Sequence, residues 1–341
     1  MPTQAPTSDS AYRGMQTGYG LLTLSVLQTI QSYGGTLINV NGCPYSTFLP
    51  NPVTSPSQIS SSLFATLDTY AAWAQTYKIE VGFTFAALSD TGWSATPTWM
   101  LNLAGGSGAQ LEYDYFTGNS AVSTVAASIT CLWQAMATRY ANNPYVYFDF
   151  FNEPFYPGTL VTKSNYRTLE ADYSSVITSL TNAVRTINPD QEILVDAPFM
   201  VYYDINYGTV PVNIPNIVWD CHSYVTSSIS LSTGYNSWEH YYIDGYVKLF
   251  VTDLGMPLFI GEYGYYDNNG MELDNFVDSA GNSWHTILSS QVAYMKTLPL
   301  WGYQWNSYPW LYGQQFNAQY AAQGYSTYTS SDSTWILTTV L

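Results

Sequence analysis

Two glutamates that follow strand-like runs are the residues of this chain best suited to chemistry. Glu153 lies in an Asn-Glu-Pro sequence after the apolar run 146–151, and Glu262 lies in Gly-Glu-Tyr-Gly after 257–260. Roughly three strand–helix units separate them. If both runs are parallel strands of one barrel, both carboxyl groups lie at its C-terminal mouth. Two carboxyl groups so placed can cleave a glycosidic bond, one by moving a proton and the other by attacking or by activating water.

The elements that would position these glutamates alternate between strands and helices. Short apolar runs predict eight strands, at 12–16, 36–41, 79–86, 145–151, 192–196, 217–222, 257–262 and 300–306. Amphipathic stretches predict helices between most of them, at 21–32, 59–77, 122–140, 165–187, 238–254 and 284–298. The connection 199–215 is short and interrupted by proline, so it predicts a single helical turn. This alternation predicts an α/β fold, the (β/α)8 TIM barrel.

Long connections follow the predicted strands, whereas the connections that precede strands are short. The long ones are 88–120, 263–281 and the segment from 307 onward. This asymmetry predicts elaborated loops on the C-terminal face, where barrel enzymes carry their sites. One barrel needs about 250 residues. The 341 residues therefore predict a single domain, 1–341, in which 1–10 is a flexible N-terminal segment.

Composition excludes several classes of partner. Charged residues make up only 9% of the chain, and the formal net charge is −16. A nucleic-acid partner is excluded because phosphate contacts need clustered Lys and Arg. No apolar run approaches the roughly 18 residues of a membrane span, so no membrane partner is expected. The sequence indicates nothing about the oligomeric state.

The scarcity of basic residues indicates adaptation to acid. Full protonation of the carboxylates would leave 8 Lys and Arg and 3 His as cations, where a chain of average composition would carry roughly 40. Self-repulsion among such cations unfolds ordinary proteins at low pH. We therefore expect an extracellular protein that works at acidic pH. Because the start of the chain lacks a basic-then-apolar signal pattern, we expect that its signal has been removed.

The cysteines and histidines predict no metal site. Cys43, Cys131 and Cys221 allow one disulfide and a leftover thiol, or three buried apolar thiols. Neither their spacing nor that of the three histidines matches a metal-ligand pattern. We therefore expect neither a metal nor a cofactor.

The chain resembles the retaining glycoside hydrolases of clan A and is most similar to the cellulase-like family 5. The Asn-Glu-Pro and Gly-Glu-Tyr-Gly sequences carry the resemblance, which extends from Tyr12 to Trp305. It implies that Glu153, after strand 4, is the proton donor and that Asn152 holds the sugar 2-hydroxyl. It also implies that Glu262, after strand 7, is the nucleophile.

Three further residues match the family, after strands 6 and 8. The resemblance implies that His222 and Tyr224, in His-Ser-Tyr, flank the glutamates, and that Trp305 forms the floor of the −1 sugar site. A lone histidine after a strand is also a common structural hydrogen-bonding group. Both interpretations of His222 stay open at this point.

The sequence departs from the family at two places. An Arg is usual at the end of strand 2 and a His at the end of strand 3, and this chain has neither. The missing Arg removes a charge that would keep a nucleophile ionised. We expect that Asn39 or Asn41, together with Tyr224, can hydrogen-bond Glu262 instead.

Acidic and aromatic residues near the strand ends complete the candidate site. Asp149 and Asp220 are interpreted as supporting carboxylates or satisfied core groups rather than catalysts. Sugar rings stack on aromatic faces, and tryptophans in the long loops are candidate subsites. They are Trp93, Trp99 and Trp310.

Together these residues predict a retaining, endo-acting hydrolase of β-1,4-glucan whose partner is a polysaccharide or an oligosaccharide. Glu153 would protonate the leaving oxygen while Glu262 attacks, and water activated by Glu153 would then release the sugar. Retention predicts a separation of about 5–5.5 Å between the two carboxyl groups. Mannan or xylan as substrate, exo action and transfer to a sugar acceptor stay open. A barrel that binds carbohydrate without cleaving it stays open as well.

Overall fold

Eight parallel strands follow one another in chain order around a closed barrel, as the sequence predicts. The computed structural model describes residues 12–89, 95–155, 160–198, 200–226, 238–266, 283–305, 337–339 and 341. The strands are β1 Tyr12–Gly18, β2 Leu37–Cys43, β3 Glu80–Phe85, β4 Val146–Asp149, β5 Ile193–Asp196, β6 Val218–Thr226, β7 Leu258–Tyr266 and β8 Gly302–Trp305.

Helices lie between the strands, and each of the six predicted from the sequence is present. The described α-helices are α1 Leu24–Ser32, α2 Tyr45–Phe48, α3 Ala65–Tyr77, α4 Thr98–Leu103, α5 Gly108–Phe116, α6 Ser123–Tyr140, α7 Tyr166–Arg185, α8 Val201–Tyr207, α9 Trp238–Tyr246 and α10 Trp284–Met295. Short 3₁₀ helices span Pro56–Gln58, Ser61–Phe64 and Ser120–Val122, and a π-helix, Val247–Asp253, continues α9. The connection after β5 holds α8, which is longer than the predicted single turn.

The connection between β3 and α6 is long, as the sequence predicts for 88–120, and it contains two short helices that the sequence does not predict, α4 and α5. Gly105 and Gly106 separate the two helices, and both have positive φ angles, of 67° and 87°. Glycine adopts this conformation without steric cost. The hydroxyl of Ser107 then accepts a hydrogen bond from the Gln110 N–H and caps α5. Breaks of this kind make two short helices look like a loop in sequence.

The chain forms two compact units, and the first is Val40–Trp219. Within it, β3 pairs with β4 and β4 pairs with β5. All residues of these three strands are buried, as expected for parallel strands covered on both faces. The ring of Trp133, on α6, lies 5.0 Å from Phe85 and 4.9 Å from Phe150.

The second unit comprises Pro2–Asn39 and Asp220–Leu341. Within it, β8 pairs in parallel with both β1 and β7. Trp301, directly before β8, is 1% exposed, and its ring lies 4.5 Å from Tyr12 and 5.5 Å from Phe259. The single-domain interpretation of the whole chain stays a prediction.

All three cysteines are buried free thiols, which decides between the two alternatives that the sequence leaves open. Burial raises the pKa of the Cys43 thiol far above its ordinary value. Such a thiol stays protonated and behaves as a small apolar side chain.

One described helical segment, Ser120–Tyr140, is long and apolar enough to cross a membrane by length and composition alone. Half of its apolar window is buried inside the protein, and α6, which forms most of it, packs against α7. Core helices of barrels pass the same test, so this segment is weak support for a membrane span.

Candidate active site

Glu153 lies beyond β4 in a turn, not at the end of a strand. β4 ends at Asp149, so the predicted strand 145–151 is two residues too long at its C-terminal end. Phe150 and Phe151 are almost fully buried, which explains the apolar run, yet they fill the core outside the strand. Glu153 itself has a φ angle of 46°, in the left-handed region that non-glycine residues seldom adopt.

The backbone of Glu153 is fixed by the carboxylate of Asp196, the last residue of β5. The Glu153 N–H donates to Asp196 Oδ2 at 2.6 Å. Asp196 is 3% exposed, and a charged acceptor makes a backbone hydrogen bond stronger than a neutral one does. This bond offsets part of the cost of the left-handed conformation, which is of order 1 kcal/mol.

Asn152, the predicted ligand of the sugar 2-hydroxyl, is held by hydrogen bonds at its backbone and at its side chain. Its N–H donates to the Phe85 carbonyl at 2.8 Å, and its Oδ1 accepts from Asn41 Nδ2 at 2.9 Å. The expectation that Asn39 or Asn41, together with Tyr224, hydrogen-bonds Glu262 stays a prediction. Asp149 accepts from the Thr84 hydroxyl at 2.9 Å, in agreement with its interpretation as a supporting carboxylate.

A carboxyl group that the sequence analysis missed lies beside this turn. Glu112, on α5, accepts from the Phe155 N–H at 2.6 Å. It also accepts from the backbone N–H and hydroxyl of Ser89, at 3.2 Å and 3.1 Å. Burial raises the pKa of Glu112 to about 7, although these hydrogen bonds oppose the rise. A glutamate in an uncharacterised loop gives no sequence signal for this role.

Glu262 lies inside β7 at an irregularity of the strand, whereas the sequence predicts that the strand ends there. The pairing of β7 with β8 shifts between Ile260 and Tyr263, so one extra residue of β7 is accommodated beside Glu262. The Glu262 side chain is buried, with 5% of the residue exposed. A bulge commonly redirects a side chain next to an active site.

Gly261 allows the close approach of another carboxylate, as its position before Glu262 suggests. A Cβ atom at residue 261 would lie 2.0 Å from Asp220 Oδ1. Only glycine fits there unless Asp220 moves. Asp220 is 1% exposed, and its interpretation as a supporting carboxylate or a satisfied core group stays a prediction.

Both oxygens of the Glu262 carboxylate have partners within the second unit. Oε1 accepts from Gln16 Nε2 at 2.6 Å, and Oε2 lies 3.5 Å from His222 Nδ1. The two contacts hold the carboxylate in one orientation. Gln16, on β1, was not identified from the sequence, since its proximity to Glu262 depends on the pairing of β1 with β8 and of β8 with β7.

His222 lies beside Glu262, and its role stays a prediction. Its ring approaches Glu262, and its carbonyl accepts from the Tyr246 hydroxyl at 3.3 Å, which ties β6 to α9.

Trp99 is half-buried, and its indole N–H donates to the Leu49 carbonyl at 2.9 Å. The backbones of Tyr224 and Trp305 belong to β6 and β8.

The remaining aromatic candidates are not described in full. Trp93 and Trp310 lie outside the described residues, and so do the side chains of Tyr224 and Trp305. The roles assigned to these four residues, and the subsite role of Trp99, stay predictions.

Comparison with known proteins identifies the class to which this barrel belongs. The family described as Cellulase (glycosyl hydrolase family 5) matches residues 96–308, more than half of the chain. The protein is therefore a glycoside hydrolase by class, and the chain belongs to glycosyl hydrolase family 5. Among curated proteins, no sequence matches.

Solved structures share the fold at low sequence identity. Endo-glycoceramidase II from Rhodococcus sp., in a cellobiose-like imidazole complex, is 14% identical with a TM-score of 0.68, over 89% of this chain and 75% of that chain. A family 5 lichenase from Caldicellulosiruptor sp. F32 is 15% identical with a TM-score of 0.64, over 98% and 94%. A mutant form of Thermotoga maritima Cel5A in complex with cellobiose is 14% identical with a TM-score of 0.58, over 98% and 97%.

Proposed function

We propose that the chain is a retaining, endo-acting hydrolase of β-1,4-linked glucan, extracellular and adapted to acidic pH. The observation that carries the proposal is the setting of Glu262 in a family 5 barrel. This carboxylate is buried at a strand irregularity, with Gln16 on one oxygen and His222 near the other. A buried carboxylate with oriented donors is suited to attack at a defined atom.

The proposed chemistry is a double displacement shared between two glutamates. Glu153, half-exposed on its turn, donates a proton to the glycosidic oxygen while Glu262 attacks the anomeric carbon. The leaving sugar departs, and the sugar that remains is held as an ester on Glu262. Glu153 then removes a proton from water, which attacks the anomeric carbon and restores the Glu262 carboxylate. The configuration at that carbon is retained because it is inverted twice.

The substrate class is proposed from the similarity of the fold to solved structures. The similar structures include a lichenase, a cellobiose complex of Cel5A and an endo-glycoceramidase. β-Linked glucose units are common to cellobiose and lichenan. Mannan and xylan stay in the test panel as alternative polymers, with a glycosphingolipid as a further alternative.

The low content of basic residues supports adaptation to acid, and buried carboxyl groups add to that support. Burial raises the pKa of Glu80 to about 8 and that of Glu170 to about 7. Groups of this kind are neutral at acidic pH, where they no longer oppose folding. Glu262 must remain ionised at the working pH.

The experiment is reducing-sugar release from soluble cellulose, lichenan, mannan, xylan and a glycosphingolipid at acidic pH, with wild type and Glu262→Gln side by side. We expect release from a β-glucan by the wild type and none by the variant, which should remain folded. Comparable release by both proteins would overturn the role of Glu262. Binding without release from any substrate would favour the alternative of a non-catalytic carbohydrate-binding barrel.

A further inference from the structure

A buried carboxyl group that the proposed mechanism does not use lies next to the turn that carries Glu153. Glu112 is 2% exposed. Its Oε1 accepts from the Phe155 N–H, two residues after Glu153, and its Oε2 accepts from Ser89. Glu112 therefore joins the segment after β3 to the segment after β4.

The turn that Glu112 holds has an unusual backbone. Glu153 and Phe155 have φ angles of 46° and 65°, and each such residue costs of order 1 kcal/mol. A conformation of this kind persists only where its surroundings fix it. Two carboxyl groups do so here, because the Glu153 N–H donates to Asp196 and the Phe155 N–H donates to Glu112.

Helix α5 also contacts the turn through an aromatic side chain. Phe116 follows Glu112 by one turn of α5, so the two side chains lie on one face of the helix. The Phe116 ring lies 5.1 Å from Phe155 and 5.3 Å from Phe151. Helix α5 thus contacts the chain on both sides of Glu153, through the carboxyl oxygen of Glu112 and through the ring of Phe116.

We propose that Glu112 is a positioning residue, which holds the carboxyl group of Glu153 at the proton-donating position through the Phe155 backbone. The inference rests on the proposed function, in which Glu153 is the acid–base group. General acid catalysis requires the acid within hydrogen-bond reach of the leaving oxygen. A displacement of the acid by about 1 Å can cost about 100-fold in rate.

The dependence of kcat/KM on the leaving group distinguishes a positioning role of Glu112 from a purely structural one. A poor leaving group, such as a sugar or a 4-methoxyphenol, needs a proton from the acid in the glycosylation step. A 2,4-dinitrophenolate leaves without that proton. Loss of a positioned acid therefore lowers kcat/KM for the first kind of substrate and spares it for the second.

The test uses β-cellobiosides with these two aryl leaving groups and variants of Glu112. Glu112→Met keeps a similar volume but has no oxygen for the Phe155 N–H, and we expect kcat/KM on the 4-methoxyphenyl substrate to fall about 10- to 100-fold. Its kcat/KM on the dinitrophenyl substrate should stay within about twofold of the wild type, since that substrate needs no acid. Glu112→Gln retains a carbonyl oxygen for Phe155 and should restore most of the loss.

Glu170→Met is the matched control because Glu170 is another buried glutamate, on α7, that accepts a backbone N–H, from Val212. It should cost stability without changing the leaving-group dependence. Should Glu112→Met not fold, Glu112→Asp shortens the carboxylate by one methylene and serves the same comparison. Equal losses on both substrates, or none on either, would overturn the positioning role. A wild type inactive on both substrates would instead show that the proposed function itself has failed.

Discussion

Two partners of Glu262 that the structure describes are a neutral amide and an imidazole. Gln16 Nε2 donates to one carboxylate oxygen at 2.6 Å, and His222 lies near the other. A hydrogen bond from Gln16 orients the carboxylate as an Arg would, but it adds no positive charge. Gln16 is therefore placed to orient Glu262 without adding a charge.

Mutation of Gln16 tests whether its hydrogen bond to Glu262 matters for activity. We expect Gln16→Leu to lower kcat/KM about 10- to 100-fold, since a hydrogen bond to a charged group contributes about 1.5–3 kcal/mol. Steady-state kinetics on a β-glucan oligosaccharide would measure the change. Gln191→Leu is the control, because Gln191 is equally buried but donates to the Val146 carbonyl. A variant of Gln16 as active as the wild type would remove Gln16 from the site.

At the scale of elements, α5 supports the turn after β4. Phe116 is 1% exposed and lies near Phe151, Phe155 and Tyr173. The helix was not predicted, because a glycine pair and a serine precede it and its apolar residues alternate with polar ones that are themselves buried. Glu112 and Asp114 are two such polar residues.

Truncation of Phe116 tests the role of the whole helix. Phe116→Ala should destabilise the protein by about 3–5 kcal/mol, as for other buried Phe→Ala changes, and should also lower activity at temperatures where the variant is folded. Phe64→Ala removes a ring that is 2% exposed and packs on Phe48. It should cost similar stability and leave activity unchanged. Chemical denaturation with parallel assays measures both, and equal activity in the two variants would contradict the role of α5.

The same elements mark how far sequence alone predicts this structure. All eight strands are predictable because apolar runs of strand length alternate with amphipathic helices. The ends of β4 and β7 are not, since Phe150 and Phe151 are buried without being in a strand and since β7 continues past Glu262. Gln16 could not be identified because its approach to Glu262 depends on pairings between strands distant in sequence.

At the scale of the whole molecule, the acidic composition is accompanied by buried carboxyl groups with raised pKa values. Burial raises the pKa of Glu80 to about 8, with the charge of Glu192 adding to the rise. It raises the pKa values of Glu112, Glu170 and Glu192 to about 7. The ordinary pKa of a glutamate is 4.5. Between that value and these raised values, the folded protein binds more protons than the unfolded chain, so stability falls as the pH rises.

Thermal unfolding across this pH range tests the proposed adaptation to acid. We expect a higher Tm at pH 5 than at pH 8 at constant ionic strength, because the buried carboxyl groups are neutral in the folded state at pH 5. Glu80→Gln should raise the Tm at pH 8 and have little effect at pH 5, since the amide carries no charge at either pH. A wild-type Tm that rises from pH 5 to pH 8, or a Glu80→Gln variant with an unchanged pH dependence, would contradict this explanation.

The central claim is that Glu262 forms the covalent bond to the sugar. An activated 2-deoxy-2-fluoro-β-cellobioside slows the second displacement more than the first, so the glycosyl-enzyme accumulates and can be mapped by peptide mass spectrometry. We expect one added fluorocellobiosyl group, on the peptide that contains Glu262, and none in Glu262→Gln. An adduct on another residue, or hydrolysis of the natural substrate with inversion of configuration, would contradict the claim.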